Sequence, residues 1–186
     1  IVNGTATGTI LTDDHRASVS IGNFGPGSQS EGNNGVTPYM YHVIRSGDYS
    51  RAETVNWSVT GTGAHPANAA DFVNGVLPSG TITFPAGGGL EDINVMVRGD
   101  TQFESDETFA VTLTPVSDDA DIVNGTATGT ILNDDLPARI SIAELHSRQA
   151  EGNAGSTPFT FSVTRTGQPD LAVSAHWQVA GGSANP

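Results

Sequence analysis

The sequence predicts an all-β chain: an immunoglobulin-like antiparallel β-sandwich of about seven strands, in tandem repeats. Short runs of alternating apolar and polar residues recur along the 186 residues, separated by turns that use many of the 23 Gly and 10 Pro. The apolar fraction, 36%, suits small cores better than one large one. The run IVNGTATGTIL at 1–11 returns letter for letter at 122–132, a period of 121 residues.

Taken in order, the first strand spans 18–22. The second, 37–45, turns Tyr39, Tyr41 and Val43 to one face. The third, 53–60, does the same with Val55, Trp57 and Val59. Ile82 and Phe84 mark a strand at 80–84, and Ile93, Val95 and Val97 one at 91–98. Phe109, Val111 and Leu113 define 107–114, and the repeated TxT run defines 125–132. β-Branched and aromatic residues at period two are those that fit a half-buried pleated surface.

Further matches extend the repeat. EGNNG at 31–35 corresponds to EGNAG at 151–155, TPYMYHVIRSG at 37–47 to TPFTFSVTRTG at 157–167, and Trp57 to Trp177. The expected organisation is therefore the last strand of a preceding repeat at 1–14, a complete domain at 15–135, and the first part of a following repeat at 136–186.

Composition narrows function. Twenty acidic residues face seven basic ones, all Arg, for a formal charge of −13. Such a surface repels nucleic acid and anionic lipid, and cations are its natural partners. No cysteine is present, so disulfides and thiolate metal sites are excluded. No apolar run approaches the roughly 20 residues that span a bilayer, so no membrane insertion is expected.

Loop placement sorts the acids. In an up-and-down sandwich successive connections alternate between the two ends. This brings Glu31, Asp71, Asp100, Glu104, Asp106, Glu107, Asp134 and Asp135 from four segments to one end; Asp118, Asp119 and Asp121 go to the other. Carboxylates without imidazole or thiolate favour Ca²⁺, which accepts six to eight oxygens. Acids from four loops point to more than one ion.

Over 15–135 the sequence resembles the Calx-beta domain family. The resemblance rests on SEGNNG at 30–35, the Ala-rich approach to Asp71-Phe72, SGTITFPAG at 79–87, FESDETFAVTL at 103–113 and GTATGTILNDD at 125–135. It implies an immunoglobulin-like sandwich with a calcium cluster at one end. The family's ligand positions fall on Glu31, Asp71, Asp100, Glu104, Glu107, Asp134 and Asp135, with the Gln102 carbonyl as a backbone ligand and Asp106 less often a direct one. Two segments depart from the family's acidic triplets, reading Gly99-Asp100-Thr101 and Asn133-Asp134-Asp135. Fewer carboxylates imply fewer or weaker ions, suited to millimolar extracellular calcium rather than to a cytosolic sensor.

The expected function is a calcium-binding structural repeat of an extracellular adhesin or stalk-like protein of the cell surface, calcium rigidifying each repeat and its junction at Leu136-Pro137. The alternative is a subunit of a self-assembling extracellular filament or sheath held by inter-chain strand pairing. The expected partners are calcium ions and neighbouring repeats of the same or like chains. No surface receptor or glycan is identified by the sequence; aromatics are 6% of residues, and Tyr39, Tyr41, Trp57 and Phe84 are claimed by the core.

No enzyme is expected. G-x-S-x-G is absent, and His15, His42, His65, His146 and His176 are scattered without zinc spacing. Acids that hold calcium must stay ionised, which a general acid must not. The Arg98-Gly99-Asp100 tripeptide is set aside as an adhesion motif because Asp100 is better used as a ligand.

Overall fold

The computed structural model describes residues 4–10, 16–116, 120–169 and 171–181. The strands are β1 (Ala17–Asn23), β2 (Ser28–Ser30), β3 (Val36–Ser46), β4 (Glu53–Thr62), β5 (Ser79–Phe84), β6 (Leu90–Arg98), β7 (Glu107–Pro115), β8 (Ala120–Asn124), β9 (Thr126–Leu132), β10 (Arg139–Glu144) and β11 (Phe161–Thr166). Two short 3₁₀ turns, Ala69–Asp71 and Val73–Gly75, interrupt the connection from β4 to β5. One sheet has the order β6-β3-β1-β8 and the other β2-β9-β7-β4-β5.

The sandwich is therefore mixed rather than wholly antiparallel. The expected strand at 18–22 continues past a corner at 24–27 as β2, which joins the opposite sheet. A strand not expected from the sequence, β8, precedes β9 and lies in the first sheet while β9 lies in the second. Both ends of the domain thus cross from one sheet to the other in the same direction, and the pairs β1·β8 and β2·β9 are parallel. Gly125 makes the second crossing: a Cβ there would stand 2.6 Å from the Ile122 side chain.

Alternation delivers the core. Val19, Ile21, Tyr39, Tyr41, Val43, Ile93, Val95 and Val97 from one sheet meet Val55, Val59, Ile82, Phe84, Phe109, Val111 and Leu113 from the other, all buried. Burying each large side chain contributes about 1.5–3 kcal/mol. Phe109 lies at the centre, edge-on to Tyr39 at 5.2 Å and to Phe72 at 5.4 Å between ring centroids. Trp57 takes the inward face expected of it, with Val55 and Val59, but at the edge of the core. It is only partly buried and packs against the core, its indole over Gly80, where a Cβ would come within 2.9 Å. The Tyr39 hydroxyl spans the two layers, its single proton lying within reach of the Thr130 carbonyl at 2.5 Å and the Gln29 carbonyl at 2.9 Å.

Strand register sets which loops meet. Val36 pairs with Arg98, Ser30 with Leu132, Glu107 with Ile131 and Thr62 with Thr108. The ends of β2, β4, β6 and β9 and the starts of β3 and β7 therefore share one end of the sandwich.

Beyond the sandwich, β10 and β11 pair with Ile142 opposite Val163 and Glu144 opposite Phe161. This repeats the β1–β3 register, in which Ile21 faces Val43 and Asn23 faces Tyr41. Burial differs sharply. Ile142, Phe161 and Val163 are 50–63% exposed, whereas Ile21, Tyr41 and Val43 are at most 2% exposed. Among the described residues no second sheet covers β10 and β11. Residues 4–10 form no strand and are exposed, although the identical run 125–131 lies almost wholly in β9. The remainder of the expected strand at 1–14 lies outside the described residues, as do Asp118 and Asp119 of the opposite end.

Candidate metal centre

Local chemistry aims each acid. Asp71 closes the 3₁₀ turn Ala69–Asp71. Its carboxylate accepts the Asn68 N–H at 2.6 Å, while the Asn68 side chain accepts the Ala70 N–H at 2.9 Å. This reciprocal cap satisfies the turn's free donors. The next residue, Phe72, is fully buried and bridges to Val97, so the turn is anchored to the core directly behind the acid.

Glu31 follows β2. Its N–H donates to the Leu132 carbonyl at 3.3 Å and its carbonyl accepts the Thr37 hydroxyl at 2.8 Å. The segment leaving β6 crosses against this backbone at Gly99, where a Cβ would lie 2.2 Å from the Gly32 carbonyl oxygen. Position 99 thus has no room for an acidic side chain unless residue 32 moves.

Two groups of carboxylates result. Glu31, Asp134 and Asp135 offer oxygens all within 4.8 Å of one another, and Asp71, Glu104 and Glu107 do the same. Asp100 belongs to neither. It is paired with Arg98 at 3.1 Å and accepts the Gln102 N–H at 2.8 Å. Its charge nevertheless reaches Glu31, Glu104 and Asp135. Gln102 is exposed, and its N–H is the donor to Asp100. Asp106 caps the chain leaving β9, accepting the Asn133 N–H at 3.0 Å.

The electrostatics are those of crowded like charges. Burial, then the charges of Asp100, Glu104, Asp135 and Asp134, push the Glu31 carboxyl up to about 7. Burial raises Glu107 to about 8, helped by its hydrogen bond to Asp71 and by the charges of Asp71, Glu104 and Glu31. Glu104 is raised by burial and by Asp71 and Asp100, against a lowering from Arg98. Asp135 is raised by burial and by Asp134, although the Asn33 hydrogen bond opposes this.

Asp135 carries the clearest sign of a missing positive partner. The residue is 7% exposed; one carboxylate oxygen accepts the Asn33 side-chain amide at 2.7 Å, and the other is buried with no hydrogen-bond donor among the described residues. An uncompensated buried carboxylate oxygen is costly. A hard divalent cation fits the donor set, which is oxygen throughout.

Three asparagines shape the centre and were not among the candidates: Asn33, Asn68 and Asn133. Asn33 had a signal in the sequence, since the Glu-Gly-Asn of 31–33 returns at 151–153. Asn68 had none beyond its position three residues before Asp71.

No family model and no curated protein matches the chain. Solved structures do. The apo-form Calx CBD1 domain is 26% identical with a TM-score of 0.52, over 65% of this chain and 100% of that domain. CBD12 from CALX1.2 is 24% identical with a TM-score of 0.51 over 63% of this chain, and the match spans 45% of that protein. The calcium binding domain CBD12 of CALX1.1 is 28% identical with a TM-score of 0.47, over 61% of this chain and 44% of that one. The chain is thus an immunoglobulin-like β-sandwich similar to the Calx CBD domains, with two groups of three carboxylates gathered at one end.

Proposed function

We propose that this chain is a calcium-binding structural repeat of an extracellular adhesin or stalk-like surface protein, with no catalytic role. The observation that carries the cation is the buried, undonated oxygen of Asp135 beside Glu31 and Asp134. Glu31, Asp134 and Asp135 would hold one cation and Asp71, Glu104 and Glu107 another, with Asp100 facing both groups. A bound cation would add positive charge to a cluster in which Arg98 pairs with Asp100 and lowers Glu104. Calcium suits them because it takes many oxygens in flexible geometry.

The structural role follows from position. Asp134 and Asp135 immediately precede Leu136-Pro137, the connection to β10. On the far side of that connection Gln168 donates its N–H to the Leu136 carbonyl at 3.0 Å. Gln168 and Leu171 also line a cleft of about 230 Å³ with Arg98, Asp100 and Gln102. A cation at this end would hold the connection and its flanking loops in one arrangement, which is what a stalk requires.

Calorimetric calcium titration with thermal unfolding before and after chelation tests the reading. Calcium heat and a melting temperature that falls on chelation are expected, since a ligand at about 100 times its Kd contributes about 2.7 kcal/mol. Neither heat nor shift would remove the calcium role. Small-angle scattering tests the stalk: maximum dimension and flexibility unchanged by chelation would remove the junction role alone.

A further inference from the structure

Asn133 is the first residue after β9, and it occupies a place where the resemblance leads one to expect a third acid. Its backbone N–H donates to Asp106 at 3.0 Å. Its side-chain oxygen accepts the Glu104 N–H at 3.0 Å, and its side-chain NH₂ donates to the Asp135 carbonyl at 3.0 Å. Glu104 belongs to one carboxylate group and Asp135 to the other.

The partners fix the orientation of the amide. A backbone N–H can only donate and a backbone carbonyl can only accept, so oxygen faces Glu104 and nitrogen faces Asp135. A carboxylate at 133 could keep the first bond but would set lone pairs against lone pairs at the second. Aspartate is therefore not equivalent here, despite its shape.

From this we infer that Asn133 is a positioning residue that couples the two cation sites, holding the backbone of residue 104 to that of residue 135 so that filling one group arranges the other. The inference rests on the metal reading above. It goes beyond that reading in placing the coupling between the sites on a residue that supplies no carboxylate. Reciprocity requires that either site, filled first, tighten the other by the same factor.

Calcium titration of the full chain by calorimetry tests this, comparing wild type with Asn133→Ala and Asn133→Asp after circular dichroism has verified that both variants fold. In the wild type the second cation should bind at least about fivefold tighter than the first, the low end of ordinary site coupling. Asn133→Ala should keep the number of cations bound and lose the cooperativity. Asn133→Asp, which retains only the acceptor toward Glu104, should lose it as well. Cooperativity preserved in Asn133→Ala, or cation number and affinity raised in Asn133→Asp, would overturn the coupling and leave calcium binding intact. Should Asn133→Ala not fold, Asn133→Asp alone decides the matter. A wild-type chain that takes up no calcium would instead overturn the metal reading, and the coupling with it.

Discussion

Asn33 donates its side-chain amide to the Asp135 carboxylate at 2.7 Å, joining residues 102 positions apart and holding one acid of the candidate centre from the opposite loop. A hydrogen bond to a charged group contributes about 1.5–3 kcal/mol. Asn33→Ala leaves every carboxylate in place yet should weaken calcium binding about tenfold or more. Calorimetric titration checks this, and an unchanged Kd would show that Asp135 needs no such support.

The ion-free chain should lose stability as pH rises. Glu31 and Glu107 keep their protons in the folded state up to about 7 and about 8, whereas their ordinary value is 4.5. Between those limits the folded state binds more protons than the unfolded one, so their contribution is complete below 4.5 and lost as pH climbs through 7 to 8. Calcium competes with those protons, so saturating calcium should flatten or reverse the trend. Melting curves in chelator and in calcium across this range decide it; an ion-free melting temperature that rises with pH would contradict the burial of these acids.

Glu107→Gln should separate stability from binding. In the ion-free chain Glu107 is protonated near neutral pH and hydrogen bonded to Asp71, a role the glutamine amide can take. The chelated variant should melt at or above the wild-type temperature. Calcium affinity should fall about tenfold or more, because ligand charge tunes Kd over decades. If the chelated variant melts well below wild type, Glu107 acts mainly in the fold.

Phe72→Ala should damage both. The ring is fully buried and edge-on to Phe109, and the preceding residue is Asp71. Truncating such a side chain costs about 3–5 kcal/mol. Urea unfolding should show that loss, and calcium titration a weakened site at Asp71. A loss under about 1 kcal/mol would mean that the site collapses around the gap.

Alternation alone marks the inward faces of the strands: Tyr39, Tyr41, Val43, Val95 and Phe109 are buried where period two puts them. The two sheet crossings were not legible, because nothing local distinguishes a strand that continues in its sheet from one that passes a glycine corner into the other. Loop parity likewise brought acids from separate segments to one end. It did not divide them into two groups or set Asp100 apart with Arg98, since those distances depend on how closely Gly99 and Gly32 approach.

The sequence by itself determined the strand pattern, the acidity, the cysteine-free chemistry and the repeat. Only the tertiary structure decided which strands pair and which polar side chains serve the acids. Residues 4–10 and 125–131 make the reason concrete: the same seven letters lie almost wholly in a strand beside β7 and β2, yet form none where no neighbour among the described residues pairs with them. A strand is stabilised by its cross-strand partners. The asparagines at 33 and 133 likewise acquire their roles only when segments about a hundred and about thirty residues apart are brought to hydrogen-bonding distance.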